Sequence, residues 1–182
     1  MLLGGEIYLT FMPMNYFELF GIPVQLVPPV AELKKKFYEL SRKYHPDFYS
    51  QATQSEKDEA LDKSSLLNRA WRTFQDRDET IKYVLKLKEL LEEEEKFDLP
   101  PAFLMEMLEI NEQVVDAKME NDKGAIDKVK ASIQNIETEI YEPVEPIIEN
   151  YKEDSTSKEE LLQVKSYYYK KKYLNRILEG LQ

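Results

Sequence analysis

The sequence predicts an all-α protein, and three observations predict it. Apolar residues recur at spacings of three and four along most of the chain, the period of one helix face. No stretch alternates in the period-two manner of a strand. The 182 residues hold only five glycines and a charged share of 33%, the composition of helices with solvated outer faces, while an apolar share of 42% is enough for a packed core. The length fits one domain or two small ones.

Taken in order, residues 16–20 form a short apolar helical turn ended by Gly21 and Pro23. Pro28 and Pro29 can open the next helix, since proline is tolerated in a first turn. Within it Val30, Leu33, Phe37, Leu40 and Tyr44 make one apolar stripe, and Pro46 stops the helix just after His45. Residues 47–56 are polar and read as a loop. A third helix, about 57–75, carries Leu61, Leu67, Ala70, Trp71 and Phe74. A fourth runs through Ile81, Val84, Leu85, Leu87 and Leu91 into four consecutive glutamates at 92–95. Such a run suits a solvated helix end or linker, which places a domain boundary there.

After Pro100 and Pro101 the helices lengthen. One spans 102–120. A second, 124–142, carries Ile126, Val129, Ile133, Ile136 and Ile140 before Pro143 and Pro146 end or kink it. The last, about 157–179, carries Leu161, Val164, Tyr168, Tyr169, Tyr173 and Ile177. Three antiparallel helices with short connections make a bundle.

Composition narrows the function. The absence of cysteine removes disulfides, thiolate metal sites and cysteine nucleophiles, and the single histidine, His45, excludes a multi-histidine metal centre. With no phosphate-binding glycine loop either, neither an enzyme nor a cofactor is expected. A net charge of −10 opposes binding to nucleic acid and to anionic membranes. No apolar run approaches the ~18–20 residues of a membrane span. The opening residues are apolar but contain Glu6 and no basic residue, unlike secretory or mitochondrial signals. Residues 1–13 read as a dispensable leader, and cytoplasm is the expected location.

Three constellations could carry function. The second helix has Lys34, Lys35, Lys36, Arg42 and Lys43 against Glu32 and Glu39, a local reversal of sign in an acidic chain. This is either a solvated face paired within the molecule or a docking face for an acidic partner. His45-Pro46-Asp47 follows at once. As a bare tripeptide it is helix-stop chemistry. At the loop end of a basic amphipathic helix it is a stronger signal. On the helix after Pro101, at ~100° per residue, Phe103, Met107, Ile110 and Val114 form one stripe. Leu104, Leu108 and Val115 form another, with Met105, Glu109, Glu112 and Asp116 beyond it. The second stripe is either a widened core face or a partner-binding surface with an acidic rim. In the last helix tyrosines interleave with Lys165, Lys170, Lys171, Lys172 and Arg176. The net charge disfavours nucleic acid there, and a core stripe with paired lysines is the simpler reading.

The stretches Tyr16-Phe17-Glu18-Leu19-Phe20-Gly21-Ile22-Pro23, Tyr44-His45-Pro46-Asp47 and Asn68-Arg69-Ala70-Trp71 resemble the signatures of a J domain, most closely that of HscB-type co-chaperones. Ala102-Phe103-Leu104-Met105-Glu106-Met107-Leu108-Glu109 is similar to that family's scaffold-binding segment. The resemblance spans about 14–182 and is weak after 120. It implies a four-helix J domain over 14–91, an acidic linker over 92–100 and a three-helix bundle over 101–182, in an elongated L shape. It implies that Lys34, Lys35, Arg42, Lys43, His45, Pro46 and Asp47 engage a DnaK/HscA-type chaperone and stimulate its ATPase. Leu104, Met105, Leu108, Glu109, Glu112, Asp116 and Tyr169, with Tyr168 as the rival to Tyr169, would bind the iron–sulfur scaffold IscU. A monomer is expected. Phe48 departs from the basic residue common after the motif, and Pro143 and Pro146 break a helix that usually continues. The paired cysteines of some eukaryotic relatives are absent, as in a bacterial-type member. The alternatives are a J-domain adaptor for another client and a helical interaction module without a chaperone partner.

Overall fold

The computed structural model describes residues 14–181, so the expected leader lies outside the described residues. Among these the structure is helical without a strand. By contacts the chain divides into two compact units, one built from the stretch ending at Pro23 with Val30–Trp71, the other from Val24–Pro29 with the chain from Arg72 onward.

In the first unit, α1 (Tyr16–Phe20) is fixed at both ends. The Asn15 side chain accepts from the Glu18 amide at 3.0 Å while the Glu18 carboxylate accepts from the Asn15 amide at 2.9 Å, a reciprocal cap. Gly21 closes the turn at φ 64°, a left-handed conformation that costs glycine nothing. Helix α2 (Val30–Lys43) and helix α3 (Gln54–Gln75) run antiparallel. Phe37 stacks on Trp71 with ring centroids 5.0 Å apart, and the Lys63 ammonium lies 5.5 Å over the Tyr44 ring, so advance along one helix is retreat along the other. Leu33, Leu40, Ala60, Leu67 and Ala70 are buried, with Phe17 and Phe20 of α1. Two residues assigned to apolar stripes, Val30 and Leu61, are instead exposed, and Ala60 is buried one position before Leu61. The expected 47–56 loop is shorter than read. It holds a 3-10 turn, Pro46–Tyr49. Helix α3 starts at Gln54 because the Thr53 amide and hydroxyl both donate to the Glu56 carboxylate, at 2.8 and 2.7 Å.

In the second unit, α4 (Arg77–Leu87) is capped by the Asp76 carboxylate. It stops well before the glutamate run, with Glu89 at φ 56° just past its end. Helices α5 (Pro101–Met119), α6 (Lys123–Tyr141) and α8 (Lys158–Gly180) form the bundle. Pro143 ends α6, and Pro146 falls in the first turn of the extra short helix α7 (Glu145–Glu149), where its missing N–H costs no bond. Phe103, Met107, Ile110 and Val114 of α5 meet Val129, Ile133 and Ile136 of α6 and Leu174, Ile177 and Leu181 at the end of the chain. Helix α4 packs on α8, burying Ile81, Val84 and Leu85. Lys171 of α8 bridges Asp78 of α4 at 3.1 Å and Glu137 of α6 at 3.2 Å. Burial opposes its charge, but Asp78, Tyr167 and Glu137 together hold the ammonium above its ordinary pKa. Arg77 adds a second tie, donating to the Tyr141 hydroxyl and the Glu149 carboxylate. No helix among the described residues is long and apolar enough to cross a membrane.

Neighbouring positions on α5 thus have opposite environments. Met107 is fully buried and Leu108 is exposed. Met107→Ala should cost about 2–5 kcal/mol in urea unfolding, whereas Leu108→Ala should stay within about 0.5 kcal/mol of wild type. Equal losses would mean that the helix is rotated from this register.

Candidate functional site

Two surfaces collect the residues singled out from the sequence, one in each unit. In the first unit all five basic residues of α2 are exposed. Among the described residues none of Lys34, Lys35, Lys36, Arg42 and Lys43 enters an ion pair. The reading of this face as internally paired therefore fails, and the positive charge is presented to solvent. Arg42 and Lys43 also lie in the last turn of α2, where cations complement the helix dipole.

His45-Pro46-Asp47 forms a rigid bend at that end. His45 has an extended backbone and caps the 3-10 turn. The Asp47 amide donates to His45 Nδ1 at 3.3 Å, and the Phe48 amide donates to the His45 carbonyl at 3.1 Å. The Tyr49 hydroxyl donates to the Lys43 carbonyl at 3.1 Å, satisfying an acceptor that the end of α2 leaves open. Because Nδ1 accepts, the neutral ring carries its proton on Nε2, which is then its donor. An Asp47 carboxylate oxygen lies 3.5 Å from the same Nδ1. The His45 and Asp47 side chains remain 51% and 86% exposed, so proline and the local bonds hold both groups outward without sequestering them.

In the second unit α5 divides its sides cleanly. The core takes Phe103, Met107, Ile110, Val114 and Ala117. Leu104 is 43% exposed, Leu108 59% and Met105 68%, so the second stripe is not a widened core face. Val115 and Met119 are exposed as well. At ~100° per residue Leu104, Leu108, Val115 and Met119 fall within about 60° of one another. Met119 had not been singled out, although the same spacing argument reaches it. Glu109, Glu112 and Asp116 are exposed on the flank of this strip and, among the described residues, enter no ion pair. An apolar strip with an unpaired acidic rim suits a basic partner with an apolar centre.

Tyr169 stands apart from that strip in its contacts. Its ring stacks on Phe97 with centroids 4.5 Å apart and planes 3° from parallel, and its hydroxyl donates to the Glu95 carboxylate at 3.4 Å. Lys165 donates to the same carboxylate and lies 5.7 Å over the Phe97 ring. The hydrogen bond from Lys165 holds the Glu95 carboxyl below its usual range. The last of the four glutamates is therefore pinned to α8 and is not a freely solvated linker residue. Tyr168 is buried, and burial followed by the charge of Glu79 pushes its phenol up to about 12, which leaves Tyr169 as the more accessible of the two. Among the described residues no cluster of three or more acidic or histidine side chains could hold a metal ion.

Residues 99–182 match the family described as the HSCB C-terminal oligomerisation domain. The crystal structure of the human co-chaperone protein HscB is similar at a TM-score of 0.74 and 26% identity, over 92% of this chain and 80% of that one. Chaperone HscB from Vibrio cholerae shares the fold at a TM-score of 0.63 and 22% identity, over 93% of this chain and 100% of that one. With the tyrosine-phenylalanine start, the histidine-proline-aspartate bend and the acidic-rimmed α5 already in place, these matches show that residues 99–182 are an HscB-type C-terminal domain and that the chain is similar in fold to HscB co-chaperones.

Proposed function

We propose that this chain delivers an IscU-type iron–sulfur scaffold to a DnaK/HscA-type chaperone and stimulates that chaperone's ATPase. The observation that carries the reading is that folding leaves both candidate surfaces open, with their charges unpaired by the rest of the described molecule. Residues 14–91 act as the J domain, and α4 also serves as a buttress for α8. Lys34, Lys35, Arg42 and Lys43 steer α2 onto an acidic face of the chaperone, and the bend fixes the register. Asp47 offers a carboxylate to a basic groove, and His45 offers the Nε2 donor. Neither performs bond chemistry, so the chain works as an activator and not as an enzyme.

Leu104, Met105 and Leu108 supply the apolar anchors for the scaffold, and Glu109, Glu112 and Asp116 choose a basic rim. Tyr169 belongs to the same contact, its ring held in place by Phe97. Binding both partners raises the scaffold's local concentration at the chaperone and favours the ATP-hydrolysing state. The protein acts as a monomer, in the cytoplasm.

A second reading has one observation in its favour, since the matching family is described as an oligomerisation domain. The exposed strip of α5 could then bury against a second copy. Sedimentation equilibrium separates the two: a concentration-independent monomer supports scaffold binding, and a dimer that Leu104→Ala with Leu108→Ala dissolves supports self-association.

Two outcomes test the division of labour. His45→Gln should abolish ATPase stimulation in steady-state assays while leaving scaffold affinity by calorimetry unchanged. Leu104→Ala with Leu108→Ala should weaken scaffold binding at least about 30-fold, near 2 kcal/mol, with stimulation by the free co-chaperone retained. Loss of both activities in either variant would mean that the surfaces are not separable.

A further inference from the structure

Phe48 follows the bend directly and is 70% exposed, so the core makes little use of it. Its backbone is nonetheless fixed. The Phe48 amide is bonded to the His45 carbonyl at 3.1 Å, and the flanking residues are tied by the Asp47 amide to His45 Nδ1 at 3.3 Å and by the Tyr49 hydroxyl to the Lys43 carbonyl at 3.1 Å. The ring stands edge-on to the His45 imidazole, with centroids 6.1 Å apart and planes at 73°. A large apolar side chain is thus held in water on a rigid support, between an exposed carboxylate and an unpaired basic helix. Docking such a ring loses little conformational freedom, and an aromatic among charges is a common composition for an interface anchor.

We propose that Phe48 is a specificity-determining contact of the chaperone-facing surface. It inserts into an apolar recess of an otherwise acidic partner, beside the group that receives Asp47. The inference rests on the chaperone reading of the bend. The occupant follows from charge: Lys34, Lys35, Lys36, Arg42 and Lys43 form no ion pairs among the described residues, so the surface that covers Phe48 must also bring acids to α2. An acidic surface with no apolar recess would meet the basic residues and leave the ring wet. Phe48 therefore discriminates among acidic partners, which the lysines alone do not.

The test is a titration of the cognate DnaK-type chaperone's ATPase with the full chain, as wild type, Phe48→Ala, Phe48→Leu and His45→Gln. Phe48→Ala should raise the half-maximal concentration about tenfold or more while leaving the saturating rate unchanged. Phe48→Leu should restore most of the lost affinity, and the thermal midpoint of both should match wild type. An unchanged half-maximal concentration for Phe48→Ala overturns the proposal, including where that variant instead alters self-association in the ultracentrifuge. A fall in the saturating rate that Phe48→Leu does not rescue also overturns it, because Phe48 would then act by positioning His45. The two readings fail separately. If His45→Gln stimulates as well as wild type, the chaperone reading falls. If His45→Gln is inactive and Phe48→Ala behaves as wild type, only the anchor falls.

Discussion

Helix α8 must serve different neighbours along its length, and the architecture of the C-terminal unit follows from how it does so. Its first half buries Leu161, Val164, Tyr167 and Tyr168, and its second half puts Leu174 and Ile177 into the core shared with α5 and α6. Lys171 lies between the two stretches and reaches Asp78 of α4 and Glu137 of α6 at once. A partly buried ion pair of this kind adds little net stability over a well-packed apolar substitute, but through one ammonium it ties α8 to both α4 and α6. With α6 and α8 together filling one stripe of α5, that helix stays peripheral. Among the described residues Leu104, Met105, Leu108, Val115 and Met119 are therefore left exposed.

The all-helical class and the α5 core stripe were legible in the sequence because both rest on a local period. The same period could not say whether Leu104 and Leu108 formed a broadened core face, since exposure depends on how many helices surround α5. Leu61 misled for a related reason: an apolar residue on a helix does not report its own azimuth until the neighbours are known, and Ala60 took the inward position. The early start of α3 was readable, since Thr53 and Glu56 have capping-box spacing. The partners of Lys171, Lys165 and Arg77 were not, because each pairs with a residue far along the chain and leaves no local pattern. For that reason the glutamate run read as solvated while Glu95 is in fact held by α8.

The bend after α2 shows how a short motif acquires a fixed geometry. Proline removes one backbone donor and restricts the residue before it, which places His45 in the extended region. The Asp47 amide then finds the imidazole as its acceptor, and this local bond selects one tautomer of the ring. The orientation of the bend therefore depends on residues within one turn of it and on the Tyr49 bond to the end of α2. A surface built from such local terms keeps its form whatever the rest of the chain is bound to.

The two surfaces also differ in sign, and that difference limits which partner each accepts. An acidic protein drawn to Lys34, Lys35, Arg42 and Lys43 meets repulsion at Glu109, Glu112 and Asp116. A basic protein drawn to α5 is repelled by α2. With the overall charge at −10, the basic helix is the exception that long-range fields work against. Its attraction is confined to about a Debye length, roughly 8 Å at physiological salt. Recognition through α2 then needs close approach and shape, which is the regime in which a rigid bend and an exposed aromatic count for more than net charge. Recognition through α5 gains from the field of the whole chain, so encounter there is steered from further away.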